Sequence, residues 1–383
     1  MSVQILHGDC RAVLATLPEQ LVHCVVTSPP YWGLRDYGIP PTICDGDPAC
    51  AHEWGGLLPA RPGCGNKPGD YSTSSLTNPK RQDEISRSSD SGSFCRLCGA
   101  WRGVHGLEPT IDRYVQHAVE IFRLVRRVMR DDATLWLNLG DSYTSGVRAT
   151  RDPGKSKLHP AFFGDAYAHG LRPPTPDDLK PKDLCMIPAR VALALQADGW
   201  WLRSEIVWAK PNPMPESITD RPTSAHEKIF LLSKRAKYFY DADAVMEKVS
   251  GGAHAHGHNT RNPKATEPGL GIKNNRSFVA AVHNRTAADL PTSRNLRNVW
   301  HLATEPFPEA HFATFPTELA RRCILAGCPA GGAALDPFGG SGTVGLAAAR
   351  LQRNAILIEA KAEYVEMARQ RIAKDAPLLM SAP

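Results

Sequence analysis

The chain has 383 residues, 42% of them hydrophobic, enough to bury one large α/β core with insertions, or two domains. Its net charge of +6 permits a polyanionic partner without requiring one. No apolar run approaches the ~18 residues of a membrane span, and Met1 to Asp9 lack a signal peptide's basic and apolar stretches, so a cytoplasmic protein is expected, its ten cysteines reduced or metal-bound.

A strand at Ile5–Leu6 ends in Gly8-Asp9, and a short helix follows from Ala12 to Leu17. Asp9 is a candidate ligand contact or the cap of that helix. A second strand, Val22 to Val26, runs into Thr27-Ser28-Pro29-Pro30-Tyr31-Trp32. Consecutive prolines fix φ, remove backbone donors and extend the residue before them. The strand therefore ends in a stiff rim carrying a hydroxyl, bare carbonyls and an aromatic face. Such a rim suits a flat base with an exocyclic amine.

From Leu34 to about Gly106, Gly, Pro, Ser, Cys and charged residues dominate with no long period, too far for an ordinary loop. This stretch must be an insertion that is disordered or held by something other than a core. Cys50-Ala51-His52 and Cys95-Arg96-Leu97-Cys98 form two short knuckles, the donor set of a closed tetrahedral zinc site. The expected ligands are Cys50, His52, Cys95 and Cys98, with Cys44 and Cys64 as substitutes and unligated thiols as the alternative. A catalytic zinc is not expected, because no His-x-Glu stands with Pro-Cys-x-x-Cys.

Apolar residues recur at helical spacing from Tyr114 to Met129. The strand Thr134–Asn138 ends near Asp141, which either lines a crevice or caps a turn. After a polar, cationic stretch come a helix (Pro188–Ala197), a strand (Trp201–Trp208) and a strand pair (His226–Ser233 and Lys237–Tyr240). Between Thr260 and Arg297 seven cations face two anions, suiting either phosphate contacts or a solvated linker. His254, His256 and His258 read as a flexible loop rather than a second metal site. A helix over Glu318–Ala326 has Thr317 as its expected N-cap and Gly327 as its stop.

The remaining units are strand (Ala333–Leu335), glycine-rich turn, helix (Ser341–Leu351), strand (Ala355–Ile358) and helix (Ala362–Ile372). The alternation predicts an α/β, doubly wound, mostly parallel Rossmann-like sheet. The turn, Asp336-Pro337-Phe338-Gly339-Gly340-Ser341-Gly342-Thr343, allows close ligand approach at a helix N-terminus, and the next strand ends in Glu359, placed to accept ribose hydroxyls. Asp336 would repel a diphosphate but attract an ammonium, favouring S-adenosylmethionine over a nicotinamide dinucleotide.

Ser28-Pro29-Pro30-Tyr31 resembles the catalytic motif of amino-group DNA methyltransferases, which modify cytosine N4 or adenine N6. The Asp336–Thr343 loop resembles their methyl-donor loop, and His311-Phe312-Ala313-Thr314-Phe315-Pro316 their additional donor-binding segment. Catalytic motif first and donor loop last is the order of the β group. The resemblance implies donor contacts from Asp9, Phe312, Thr314, Phe315, Asp336, Phe338, Gly339, Gly340, Ser341, Gly342, Thr343 and Glu359. It implies duplex DNA as partner, and is compatible with a homodimer and a cognate restriction endonuclease. Serine at position 28 goes mostly with cytosine N4 in this family and aspartate with adenine N6, so N4 is favoured and N6 stays open. An inactive zinc-containing DNA-binding module is the other alternative. Attack at cytosine C5 would need a Pro-Cys nucleophile, and the chain offers only the reverse order, Cys328-Pro329.

The expected organisation is a catalytic part of the core at 1–36, the insertion at 37–106, and the core continued at 107–245 with a basic insertion at 145–182. A target-recognition segment at 246–300 and a donor-binding part at 301–383 complete it.

Overall fold

The computed structural model describes residues 2–56, 94–144, 179–248, 293–305 and 315–375. The first elements are β1 (Val3–His7), α1 (Cys10–Thr16) and β2 (Val22–Thr27), followed by four short strands, β3 (Thr42–Cys44), β4 (Trp54–Gly56), β5 (Phe94–Cys95) and β6 (Trp101–Gly103). Next come α2 (Ile111–Val128), β7 (Met129–Leu139), α3 (Ile187–Ala197), β8 (Trp201–Ala209) and β9 (His226–Ser233). The two-residue strands β10 (Glu247–Lys248) and β11 (Ser293–Arg294) precede β12 (Val299–His301) and α4 (Thr317–Gly327). The chain closes with β13 (Ala333–Asp336), α5 (Thr343–Arg350), β14 (Asn354–Glu359) and α6 (Ala362–Asp375).

Eight strands form the main sheet in the order β1-β14-β13-β2-β7-β9-β8-β12. All neighbours are parallel except β9, which runs against both β7 and β8. Strands such as β2 and β14 are buried almost without interruption, as covering on both faces requires. One face carries α4, α5 and α6, whose Leu319, Val344 and Ile372 join Cys24, Trp136 and Leu357 in one core. The other carries α1, α2 and α3, whose Leu14, Phe122 and Leu195 join Val25, Leu135 and Ile356. The sheet is doubly wound, as the alternation predicts.

Three local expectations change. Lys237–Tyr240 is not a strand; Tyr240 instead packs on Trp136, with ring centroids 6.4 Å apart. Thr317 is the first residue of α4 rather than its cap, and its N and Oγ1 both donate to Glu305 Oε2. Gly327 is no stop signal but the last helical residue, where a Cβ would lie 2.2 Å from Thr134 Oγ1. Of the basic stretch, Arg294 and Arg297 both donate to Glu247 Oε2 beside the β10–β11 pair. The rest of the basic stretch, 249–292, lies outside the described residues, as do Cys64, the three alternating histidines, Phe312 and Thr314.

Gly342, at φ +79°, starts α5, and a Cβ there would stand 2.9 Å from the Cβ of Ala368 on α6. Gly342→Ala should destabilise the protein by about 1–3 kcal/mol through backbone strain and overpacking. Equilibrium urea unfolding measures this, and an unchanged midpoint would contradict the contact.

Candidate active site

Topology brings the two ends of the sequence together. Strand β13 pairs with β2, Leu335 opposite Val25, so Asp336 and Thr27 end side by side. Thr27 Oγ1 donates to Asp336 Oδ1 at 2.7 Å. Strand β14 pairs with β1, Glu359 opposite His7. These carboxyl-terminal strand ends share one sheet edge, where ligand crevices form in open α/β sheets. A cavity of about 320 Å³ opens there. Its wall includes Ser28, Pro29, Pro30 and Tyr31 from the first motif and Asp336, Phe338, Gly339, Gly340, Ser341 and Thr343 from the glycine loop. Asp9, Phe315 and Glu359 also line it. Gly342 does not; it packs beneath the loop against α6.

The proline rim is held from behind. Tyr31 donates from its hydroxyl to Glu227 Oε2 at 2.6 Å and accepts from Asn138 Nδ2 at 2.9 Å and Ser28 Oγ at 3.0 Å. Burial, with the neighbouring Glu227 carboxylate, pushes the Tyr31 phenol well above its ordinary pKa and keeps it protonated. Lys210 Nζ pairs with Glu227 Oε1. The Pro30 carbonyl accepts from Tyr114 OH at 3.0 Å, whereas no described residue donates to the Pro29 carbonyl. The sequence alone assigns no site role to Glu227, Lys210 or Tyr114. Glu227 arrives because β9 runs backwards and begins at the edge where the parallel strands end.

Asp336 is 2% exposed. Its Oδ1 accepts from Thr27 and from Phe338 N at 3.0 Å, and no described residue bonds Oδ2. Burial, helped by nearby Glu359, raises its pKa to about 7 against the pull of those two donors. Glu359 accepts Gly340 N through Oε2 and Lys361 N through Oε1, both at 2.8 Å, and burial raises its pKa too. Arg371 on α6 grips the loop from below, donating to Ser341 Oγ at 2.8 Å and Thr343 Oγ1 at 3.0 Å. Asp9 lines the cavity and caps α1 at once, accepting from Arg11 N and Ala12 N. Asp141 is a cap alone: its Oδ1 takes the N–H of Ile187 at the start of α3.

The insertion contributes a small antiparallel sheet, β3-β6-β5-β4. Cys50, His52, Cys95 and Cys98 converge beside it, their ligand atoms all within 4.8 Å of one another. Cys50 and Cys95 sulfurs stand 3.8 Å apart, and Cys98 Sγ lies 3.5 Å from His52 Nδ1. Burial opposes ionisation of Cys95, but backbone N–H groups of Cys98 and Leu97 bring its thiol down to about 6. Cys44 is not part of this group; its sulfur accepts from Arg11 at 2.7 Å.

Among the described residues no helix is long and apolar enough to cross a membrane. The family model for DNA methylases matches residues 22–370. The Type II methyltransferase M.SmaI of Serratia marcescens is 38% identical over 371 residues, covering 97% of this chain and 91% of that protein. M.Cfr9I of Citrobacter freundii, also a Type II methyltransferase, is 38% identical over 368 residues, covering 96% and 87%. Among solved structures, the cytosine-N4-specific PvuII DNA methyltransferase superposes with a TM-score of 0.51 at 16% identity, covering 99% of this chain and 93% of that one, a likeness of fold. Motif order, sheet and end-to-end relatives agree: the chain belongs to the DNA methylase family, the amino-group methyltransferases of DNA, and to their β group.

Proposed function

We propose that the protein transfers the methyl group of S-adenosylmethionine to the exocyclic N4 of cytosine in duplex DNA, at a base flipped out of the helix. The observation that carries this reading is the single cavity walled by both Ser28–Tyr31 and the Asp336–Thr343 loop. The residues present fit the donor: a buried carboxylate with one unbonded oxygen for an ammonium, Glu359 for ribose hydroxyls, and a glycine loop for close approach. When bound, S-adenosylmethionine supplies an already activated methyl on a sulfonium.

The protein's share is positioning. An exocyclic amine is a weak nucleophile because its lone pair is delocalised into the ring. The Pro29 carbonyl, to which no described residue donates, and Ser28 Oγ accept the amine's two hydrogens, turning the lone pair out of conjugation and toward the methyl group. Alignment of this kind supplies most of the rate. Tyr31, its hydroxyl fixed by Glu227 and Asn138, presents its ring to the base, a contact worth about 1–3 kcal/mol. A base still paired cannot offer its amine, which requires flipping.

Serine at position 28 supports cytosine N4 over adenine N6. Methylating a plasmid, digesting it to nucleosides and weighing the modified base decides: N4-methylcytosine is expected, and N6-methyladenine would overturn the base while keeping the class. Ser28→Ala should lower kcat about 100-fold, the scale for removing one polarising group, while donor affinity stays unchanged. An S28A enzyme with wild-type kcat would remove Ser28 from the mechanism. A structural zinc on Cys50, His52, Cys95 and Cys98 belongs to the same proposal.

A further inference from the structure

The insertion returns to the core through Val104 and His105, and both line the cavity. What fixes this return is dense. Gly106, at φ +98°, passes so close to the proline rim that a Cβ would stand 2.8 Å from Pro30 Cβ. Gly33 N donates to Gly106 O at 2.8 Å, and Trp32 Nε1 donates to the Glu108 carbonyl at 2.9 Å. The His105 ring stacks on Tyr114 with centroids 4.9 Å apart and planes 2° from parallel, and on Phe338 of the glycine loop at 6.0 Å. It therefore links the glycine loop to Tyr114, whose hydroxyl holds the Pro30 carbonyl.

Its hydrogen bonding is half complete. His105 Nδ1 lies 2.7 Å from Glu108 Oε1, and Gly106 N donates to Glu108 Oε2 at 2.8 Å. His117 Nδ1 approaches the same Oε1 at 3.1 Å, and its Nε2 faces both oxygens of Asp45 at 3.2 Å. Arg113 pairs with Asp45 as well. Burial opposes charge on Glu108, but His105 and His117 hold its carboxyl down at about 2. Burial likewise opposes protonation of His117, and the two carboxylates raise its pKa instead. A carboxylate oxygen only accepts, so Nδ1 is the donor to Glu108, and in the tautomer this fixes for a neutral ring Nε2 is the acceptor. That atom is buried in a residue 9% exposed and has no partner among the described residues. Buried polar atoms are normally satisfied, and an orphan at a cavity wall points to an absent ligand.

We propose that His105 is a ligand-contacting residue of this site, its Nε2 accepting a hydrogen bond from an N–H donor of the bound reactants. The inference rests on the methyltransferase reading and assigns a contact that neither motif contains. Two reactants offer such a donor: the ammonium of the methyl donor, through a hydrogen that Asp336 does not take, and the amine of the extruded base, where Nε2 replaces Ser28 Oγ as acceptor of one of its two hydrogens. The partner carboxylate orients the ring, as Glu108 does here through Nδ1.

Calorimetric titration with S-adenosylhomocysteine in the absence of DNA, and kcat/KM for plasmid DNA at saturating donor, separate the two sources. His105→Phe keeps the stacking ring and removes the acceptor. It should weaken one of these quantities about tenfold or more, the scale of a hydrogen bond to a buried or charged group. A loss in S-adenosylhomocysteine affinity assigns the ammonium; a loss confined to kcat/KM for DNA assigns the base. His105→Gln, whose amide oxygen reaches about as far as Nε2, should recover most of the loss. Native protein labelled with 15N-histidine gives a second reading: the Nε2 resonance absent from spectra of folded H105Q or H105F should move when S-adenosylhomocysteine or DNA is added. A folded H105F matching wild type in both measurements, or an Nε2 resonance indifferent to both reactants, overturns the inference. Wild-type protein that binds no S-adenosylhomocysteine and methylates no DNA is a different result, and it sinks the methyltransferase reading itself.

Discussion

Asp336→Asn is expected to weaken donor binding about 100-fold and, above pH 7, to raise the melting temperature of the ligand-free protein. The two effects share one cause. Asp336 is buried, its Oδ1 is used by Thr27 and Phe338, and its carboxyl titrates near 7 because burial disfavours the charge. A folded-state pKa above the ordinary 3.8 means that the folded chain binds this proton more tightly than the unfolded chain does. Stability therefore falls as pH rises from about 4 to about 7, and the penalty persists above that. Asparagine keeps the acceptor for Thr27 and cannot ionise, so the penalty disappears. An ammonium arriving at Oδ2 reverses the account by turning a costly charge into half of a buried ion pair. Losing such a pair costs about 3 kcal/mol, roughly 100-fold in affinity. Below pH 7 the donor must also displace the proton, so wild-type affinity should fall by up to about tenfold per pH unit. D336N should show no such slope. Calorimetry from pH 6 to 8.5, in buffers of different ionisation enthalpy, counts the released proton directly. A pH-independent wild-type affinity, or D336N binding as tightly as wild type, would refute the assignment of Asp336 to the ammonium.

The sequence was most informative where chemistry is local. Buried apolar runs ending in Ser28-Pro29-Pro30-Tyr31 and in the Asp336 loop announce strand ends with special work, because paired prolines and clustered glycines restrict or free the backbone in ways few other residues do. What the sequence did not contain was adjacency. Nothing in residues 333–336 says that β13 inserts between β14 and β2, yet that placement sets Asp336 against Thr27. Glu227 escaped for a related reason. At the charged start of a strand, His226-Glu227-Lys228, a glutamate reads as solvated, and only the reversal of β9 turns it toward Tyr31. His105 and Glu108 sit at the end of a stretch without period, where no pattern assigns a face. A histidine three residues from a glutamate beside a glycine was the available signal, and burial alone gives it meaning. Asp141 was open between crevice and cap, and the Ile187 N–H decides for the cap, whereas Gly327 shows the opposite failure, since a close approach looked like a stop signal.

The other large effect concerns metal. Among the described residues the insertion's small sheet has a core of three, Cys44, Phe94 and Trp101, too little to hold β3 to β6 by burial alone. Yet the sheet grips the rest of the protein, through Cys44 and Thr42 on Arg11 and through Asp45 on His117 and Arg113. Its flanks, including Thr42, Val104 and His105, wall the cavity. A tetrahedral zinc with Zn–S near 2.3 Å and Zn–N near 2.0–2.1 Å puts its sulfurs about 3.8 Å apart and sulfur and nitrogen about 3.6 Å apart. The Cys50–Cys95 and Cys98–His52 separations of 3.8 and 3.5 Å match those edges. Purified protein should therefore contain one zinc per chain by atomic emission. Cys98→Ser, prepared without added zinc, should lose the metal, melt at least about 5 °C lower, and bind the donor about tenfold or more weakly as the cavity wall loosens. Because the binding energy of such a metal is folding energy, wild-type chain stripped of zinc should show the same losses, partly reversed on refolding with zinc and not with magnesium, which prefers oxygen ligands. Zinc-free wild-type protein with unaltered melting and full donor affinity would show that the four side chains meet without a metal and that the cap is held by its own packing.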